Sequence, residues 1–135
     1  MKTIPKLRAV IVVEDTNFIP TQSESKLVLV QPILSFNVPF IPTQLSFNLV
    51  TAVSHFDKNQ NYRIDLKVIN SKNGQELTFT SWEIQDIDDK RNSPASGLMI
   101  TSIKNMIVED EGDYIIEVYA EGEKIGEDFF GVYKS

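Results

Sequence analysis

Two stretches of the sequence alternate between apolar and polar side chains. In YRIDLKVI (residues 62–69) every second residue from Tyr62 is apolar, and arginine, aspartate and lysine stand between them. DYIIEVYA (residues 113–120) alternates in the same way from Tyr114, with Ile115 and Tyr119 added on the opposite face. A period of two is what a half-buried antiparallel strand requires. Since no comparable stretch sustains a helical period, the chain is predicted to be all-β.

Turn residues divide the rest of the chain into short strands. Asn73-Gly74 predicts a tight hairpin, because this dipeptide readily adopts positive φ angles, and Glu121-Gly122 predicts a second turn. Eight strands are predicted, over residues 7–14, 26–34, 44–54, 62–70, 75–84, 98–108, 113–120 and 124–133. The spacing favours one domain (residues 1–135), a two-sheet immunoglobulin-like sandwich of seven to eight mostly antiparallel strands. An eight-stranded barrel is the alternative, and residues 81–84 could instead form a helical turn.

The segment EDEGDY places Asp110, Gly112 and Tyr114 in the pattern of a tyrosine corner. In immunoglobulin-type sandwiches such a tyrosine opens a strand, and its hydroxyl bonds back to the backbone a few residues upstream. We therefore predict a structural corner at these three residues.

The order of the segments AVIVVEDT, KLVLVQPILSF, YRIDLKVINSKNGQEL and EGDYIIEVYAEGEKIGEDFFGV resembles an uncharacterised family of small bacterial and phage-encoded immunoglobulin-like β-sandwich proteins. The resemblance implies a fold and a bacterial or phage origin, and it implies no activity or site. The inter-sheet cysteine pair of antibody domains is absent, and Trp82 follows the Asn-Gly turn instead of preceding it.

Residues for catalysis are scarce. The chain has no cysteine, which excludes thiol and zinc–thiolate chemistry, and His55 is the only histidine available to a catalytic triad. The polar segment that starts at Asp57 departs from a calcium loop at Tyr62, where glycine is required, and at Val68, where glutamate is required. Calcium binding by the carboxylates at residues 86–89 or 109–113 stays open. We expect no enzyme, no cofactor and no resident metal.

Charge and hydropathy limit the partners and the compartment. The net charge is −6, and residues 1–75 carry eight basic and five acidic side chains, against five and fourteen in residues 76–135. Such an acidic half disfavours nucleic-acid binding. The apolar run at residues 9–13 is shorter than the roughly 20 residues of a membrane span or the about 7–15 of a signal peptide. We expect a cytoplasmic protein with no membrane contact.

Three residues of the last two strands form a possible protein-contact patch. Ile115, Tyr119 and Phe129 are apolar or aromatic, yet they fall on the face opposite Tyr114 and Phe130. Exposed apolar patches mark protein contacts. The sequence therefore favours a non-catalytic protein-interaction or structural module with a protein partner or a homodimer interface. The alternatives are an acidic inhibitor or nucleic-acid mimic that binds a basic host protein, and an enzyme or carbohydrate-binding domain.

Overall fold

A computed structural model describes residues 3–20, 25–85 and 95–135, and these residues form nine strands. The strands are β1 (Lys6–Pro20), β2 (Ser25–Pro32), β3 (Ser35–Val38), β4 (Thr43–Phe56), β5 (Tyr62–Asn70), β6 (Glu76–Ile84), β7 (Ala95–Val108), β8 (Gly112–Ala120) and β9 (Glu123–Lys134). No helix in the described part of the chain is long and apolar enough to cross a membrane.

The strands form two sheets that pack face to face. One sheet has the order β2-β1-β4-β7 and is antiparallel throughout. The other has the order β3-β9-β8-β5-β6, in which β3 runs parallel to β9 and the remaining pairs are antiparallel. The predicted two-sheet, mostly antiparallel sandwich is confirmed, and the barrel alternative is wrong.

Two details of the strand assignment differ from the prediction, and one alternative within it is wrong. The short strand β3 was not predicted, because its four residues become a strand only by pairing with the end of β9. Residues 81–84 end β6 and do not form a helical turn. Strands β1 and β7 are longer than predicted, since β1 gains its second half by pairing with β2.

Alternate residues of both sheets point inward and form one hydrophobic core. Phe130 is fully buried at its centre, and its ring lies 5.4 Å from that of Phe47, 5.6 Å from Phe36 and 5.8 Å from Tyr114. Phe47 belongs to the four-stranded sheet and the other three to the five-stranded sheet. The aromatic cluster therefore joins the two layers, and such ring pairs contribute about 0.5–1.5 kcal/mol each beyond burial.

Strand β1 changes its partner halfway along. From Lys6 to Val13 it pairs with β4, and from Val13 to Pro20 it pairs with β2. Residues 14–20 of β1 and the whole of β2 are therefore a two-stranded extension of the sandwich, called the β1–β2 arm below.

Candidate protein-contact surface

The pleat of the five-stranded sheet decides which side chains face solvent. Along β8, Tyr114, Ile116, Val118 and Ala120 are buried, so that Asp113, Ile115, Glu117 and Tyr119 lie on the outer face. Cross-strand pairing then determines which outer residues of β5 and β9 stand beside them. This outer face holds all three residues of the predicted contact patch.

An apolar row crosses the outer face at the level of Ile115. Ile115 pairs with Ile69 of β5 on one side and with Phe129 of β9 on the other. Phe129 is 64% exposed, although its neighbour in sequence, Phe130, is fully buried. Ile69, Ile115 and Phe129 are called the apolar row below.

Leu34 is a second exposed apolar side chain near Phe129, at the edge of the sheet. Its carbonyl oxygen accepts a hydrogen bond from the Gly131 amide at 3.1 Å, which fixes it beside the β9 strand. Leu34 and Phe129 line the same small cavity of about 160 Å³, and Leu34 is 86% exposed. Neither Leu34 nor Ile69 was predicted as part of the patch.

A band of charged side chains lies next to the apolar row. Lys67, Glu117 and Glu127 are cross-strand partners, and the Lys124 ammonium contacts both carboxylates, at 2.9 Å from Glu117. The hydrogen bond from Lys124 lowers the pKa of Glu117, and the bonds from Lys124 to Glu127 and Glu117 raise the pKa of Lys124. Lys67, Glu117, Lys124 and Glu127 are called the charged band.

Tyr119 contacts the charged band and is not part of the apolar row. Its hydroxyl donates to the Glu117 carboxylate at 3.0 Å, and the Lys67 ammonium lies 4.9 Å from the centre of its ring. Burial and the neighbouring Glu117 raise the pKa of the Tyr119 hydroxyl. The structure thus places Ile115 and Phe129 side by side. Tyr119 lies farther along the outer face of β8, with Glu117 between it and Ile115.

The Tyr114 hydroxyl donates to the Asp110 carbonyl oxygen at 2.6 Å. Gly112 turns the chain between them with a φ of 130°, in a region that favours glycine. The Asn70 amide donates to the Asp110 carboxylate at 3.4 Å. Burial raises the pKa of Tyr114. This corner holds the start of β8 and thereby sets which residues of that strand face outward.

Two other regions carry polar or acidic side chains. The acidic group at residues 86–89 lies outside the described residues, and among those described no cluster of three or more histidine or acidic side chains could hold a metal ion. A cleft of about 570 Å³ separates the edges of β6 and β7, with Thr78, Thr80, Ser102 and Lys104 in its lining. On the same side of the sandwich a hydrogen bond joins the two sheets: the indole N–H of Trp82 in β6 donates to the Thr101 hydroxyl of β7 at 2.9 Å.

This chain matches solved structures in its fold, but it matches no known protein family. No protein-family model and no curated protein sequence matches this chain. Among solved structures it is similar to the alkylpurine DNA glycosylase AlkC of Pseudomonas fluorescens bound to DNA containing an abasic-site analogue, with 11% identity and a TM-score of 0.50. It is also similar to a β-glucosidase of Listeria innocua in complex with glucose, with 8% identity and a TM-score of 0.52.

These two matches cover 92% and 98% of this chain, but only 30% and 16% of the glycosylase and glucosidase chains. An immunoglobulin-like protein of Pseudomonas aeruginosa matches over 96% of this chain and 97% of its own, with 10% identity and a TM-score of 0.45. At such identities the matches concern the fold alone. The strand order and the tyrosine corner define the chain as an immunoglobulin-like β-sandwich module.

Proposed function

We propose that the chain is a non-catalytic interaction module of bacterial or phage origin that binds a protein in the cytoplasm through the outer face of its five-stranded sheet. The observation that carries the proposal is the exposure of Phe129 beside Ile115, with the exposed Leu34 in the lining of a cavity next to Phe129. Folding leaves these apolar side chains in contact with water, although the adjacent Phe130 is fully buried.

The layout of this face suits a protein contact. Covering a phenylalanine and a leucine contributes about 1.5–3 kcal/mol for each side chain that becomes fully buried. Specific interfaces combine such an apolar centre with a polar rim. In the charged band the Lys124 ammonium contacts the carboxylates of Glu117 and Glu127, and Lys67 opposite Glu117 brings the net charge of the band to zero, so a partner could cover the apolar row without stripping water from unpaired carboxylates there.

Site-specific photo-crosslinking tests the proposal. A benzoylphenylalanine replaces Phe129 in one variant and Leu98 in a control, since Leu98 is also apolar and 59% exposed but lies in the other sheet. We expect discrete crosslinked products from position 129 and none from position 98. Equal labelling from the two positions would contradict a specific contact at the apolar row.

The identified partner is then purified and titrated by calorimetry. Phe129→Ser should weaken its binding by about tenfold or more, because a central aromatic residue commonly contributes at least ~1.4 kcal/mol to an interface. Leu98→Ser should leave the affinity unchanged. If the two variants bind alike, the contact lies elsewhere on the molecule.

An acidic inhibitor of a basic protein is the second candidate, and the β7–β8 turn favours it. Glu109, Asp110, Glu111 and Asp113 lie together there, and no described lysine or arginine forms an ion pair with any of them. A contact through this turn would weaken steeply with salt, because exposed charges are screened. Glu109→Gln with Glu111→Gln would then abolish binding that Phe129→Ser leaves intact.

A further inference from the structure

The β1–β2 arm ends the four-stranded sheet in an unusual way. Beyond Val13 the β1 strand no longer pairs with β4, so the arm continues as two strands alone. In the described part of the chain, β2 has β1 as its only closely packed strand. The other edge of β2 therefore presents backbone groups without a strand partner.

Both faces of the arm carry apolar side chains that the fold does not bury. In β2, Leu27 and Leu29 point to one face and Val28 and Val30 to the other. All four are half-buried or exposed, and Val30 is 39% exposed. An isolated two-stranded ribbon is only marginally stable in water, and a third strand stabilises it. Among the described residues the arm has no such strand.

The remaining sheet edges are protected in ways that β2 is not. Natural edge strands avoid pairing with other chains through charged side chains, prolines, irregularities and short length. Glu76 and Glu83 lie in β6, β3 has only four residues, and β7 lies against β6, with the Trp82 indole bonded to Thr101. Strand β2 has Lys26 and Pro32 near its ends, but its central residues 27–30 contain neither charge nor proline.

We propose that the free edge of β2 pairs antiparallel with the β2 strand of a second copy, joining two four-stranded sheets into one. In an antiparallel pair, residues directly opposite each other lie on the same face, so the two-fold axis must lie between the two copies of a single β2 residue. The uncharged segment places that residue at Val28 or Leu29. With Leu29 at the axis, Val28 faces Val30 and Lys26 faces Pro32.

Charge favours a second copy at this edge over other contacts between copies. Lys26 is the only charged residue of β2, and neither register places two lysines opposite each other. Association through regions of residues 76–135 would instead bring together surfaces with fourteen acidic and five basic residues each. Pairing at β2 buries the apolar side chains of the arm and keeps these acidic regions in solvent.

Analytical ultracentrifugation over micromolar to millimolar concentrations tests the proposal. The wild-type chain should sediment as a dimer in equilibrium with a monomer. Val30→Lys should raise the dissociation constant of the dimer by about tenfold or more. The reason is that each of the two copies then carries a new charged side chain at the paired β2 edges. Leu98→Lys, an equally conservative change of an exposed apolar residue on the β7 edge, should leave the dissociation constant unchanged. A monomeric wild type, or equal effects of the two lysines, overturns the proposal.

Single-cysteine variants test the register without relying on the stability of the lysine variant. The chain has no cysteine of its own, so Val28→Cys, Leu29→Cys and a Leu98→Cys control each introduce a single thiol. Under mild oxidation, Val28→Cys or Leu29→Cys should form a disulfide-linked dimer much faster than Leu98→Cys. Equal rates at all three positions would exclude β2 pairing. Loss of the dimer in Phe129→Ser but not in Val30→Lys would assign it to the outer sheet face and overturn the proposal.

Discussion

Adjacent phenylalanines on β9 should differ sharply in their contribution to stability. Phe130 is fully buried against three aromatic rings, and truncating such a side chain to alanine costs about 3–5 kcal/mol. Phe129 keeps 64% of its surface exposed. Since complete burial of a phenylalanine contributes about 1.5–3 kcal/mol, the covered third contributes about 0.5–1 kcal/mol. Phe130→Ala should therefore cost at least about three times as much as Phe129→Ala.

Urea denaturation followed by the fluorescence of Trp82, the only tryptophan, measures this difference. With a urea slope of about 2 kcal/mol/M, Phe130→Ala should lower the midpoint by about 2 M and Phe129→Ala by less than about 0.5 M. The two slopes should remain equal if unfolding stays two-state. A Phe129→Ala shift more than half that of Phe130→Ala would refute the reasoning, because Phe129 would then be a structural residue.

Other substitutions test individual hydrogen bonds and charges. Tyr114→Phe removes the corner hydrogen bond, and it should cost about 0.5–1.5 kcal/mol and lower the melting temperature by about 2–5 °C; an unchanged melting curve would contradict the corner's role. The Thr51 hydroxyl is buried and has no hydrogen-bond partner among the described residues, so Thr51→Val should stabilise the fold by about 1 kcal/mol in chemical denaturation. Thr101→Val removes the acceptor of the Trp82 indole and should instead destabilise it by about 1–3 kcal/mol; the same sign for the two valines would refute this contrast. Because the folded-state pKa of Glu117 is lowered, its contribution is present above the ordinary value of 4.5 and is lost as the pH falls through the lowered pKa. Glu117→Gln should therefore cost about 0.2–1 kcal/mol near neutral pH and progressively less in acid; a difference independent of pH would contradict the pairing with Lys124.

The local alternation of side chains was sufficient to predict the central strands. The predicted range 62–70 coincides with β5, and 113–120 differs from β8 by one residue, because a half-buried strand imposes its pattern residue by residue. Strand β3 could not be predicted in this way. Its pairing partner, β9, lies at the far end of the chain, and a contact between distant segments leaves no local periodicity.

The contact surface was predictable only in part, for a similar reason. The outward direction of Ile115 and Phe129 follows from the alternation of side chains along a strand, because their sequence neighbours Tyr114 and Phe130 point inward. Their neighbours depend on the register between strands, which brings Ile69 beside Ile115 and places Lys67 over the ring of Tyr119. Leu34 was assigned to the end of a predicted strand, and only the hydrogen bond of its carbonyl oxygen with Gly131 locates it beside β9.

The two proposed surfaces lie on different sheets, which has a consequence for binding. Pairing through β2 extends the four-stranded sheet and leaves the outer face of the five-stranded sheet open on each copy. A dimer would thus present two apolar rows, and simultaneous engagement of a partner fixed on a surface would raise the apparent affinity without any new contact. Val30→Lys should then weaken binding to the immobilised partner but not to the same partner in solution. Phe129→Ser should weaken binding in the two formats, because it changes the contact and not the valency.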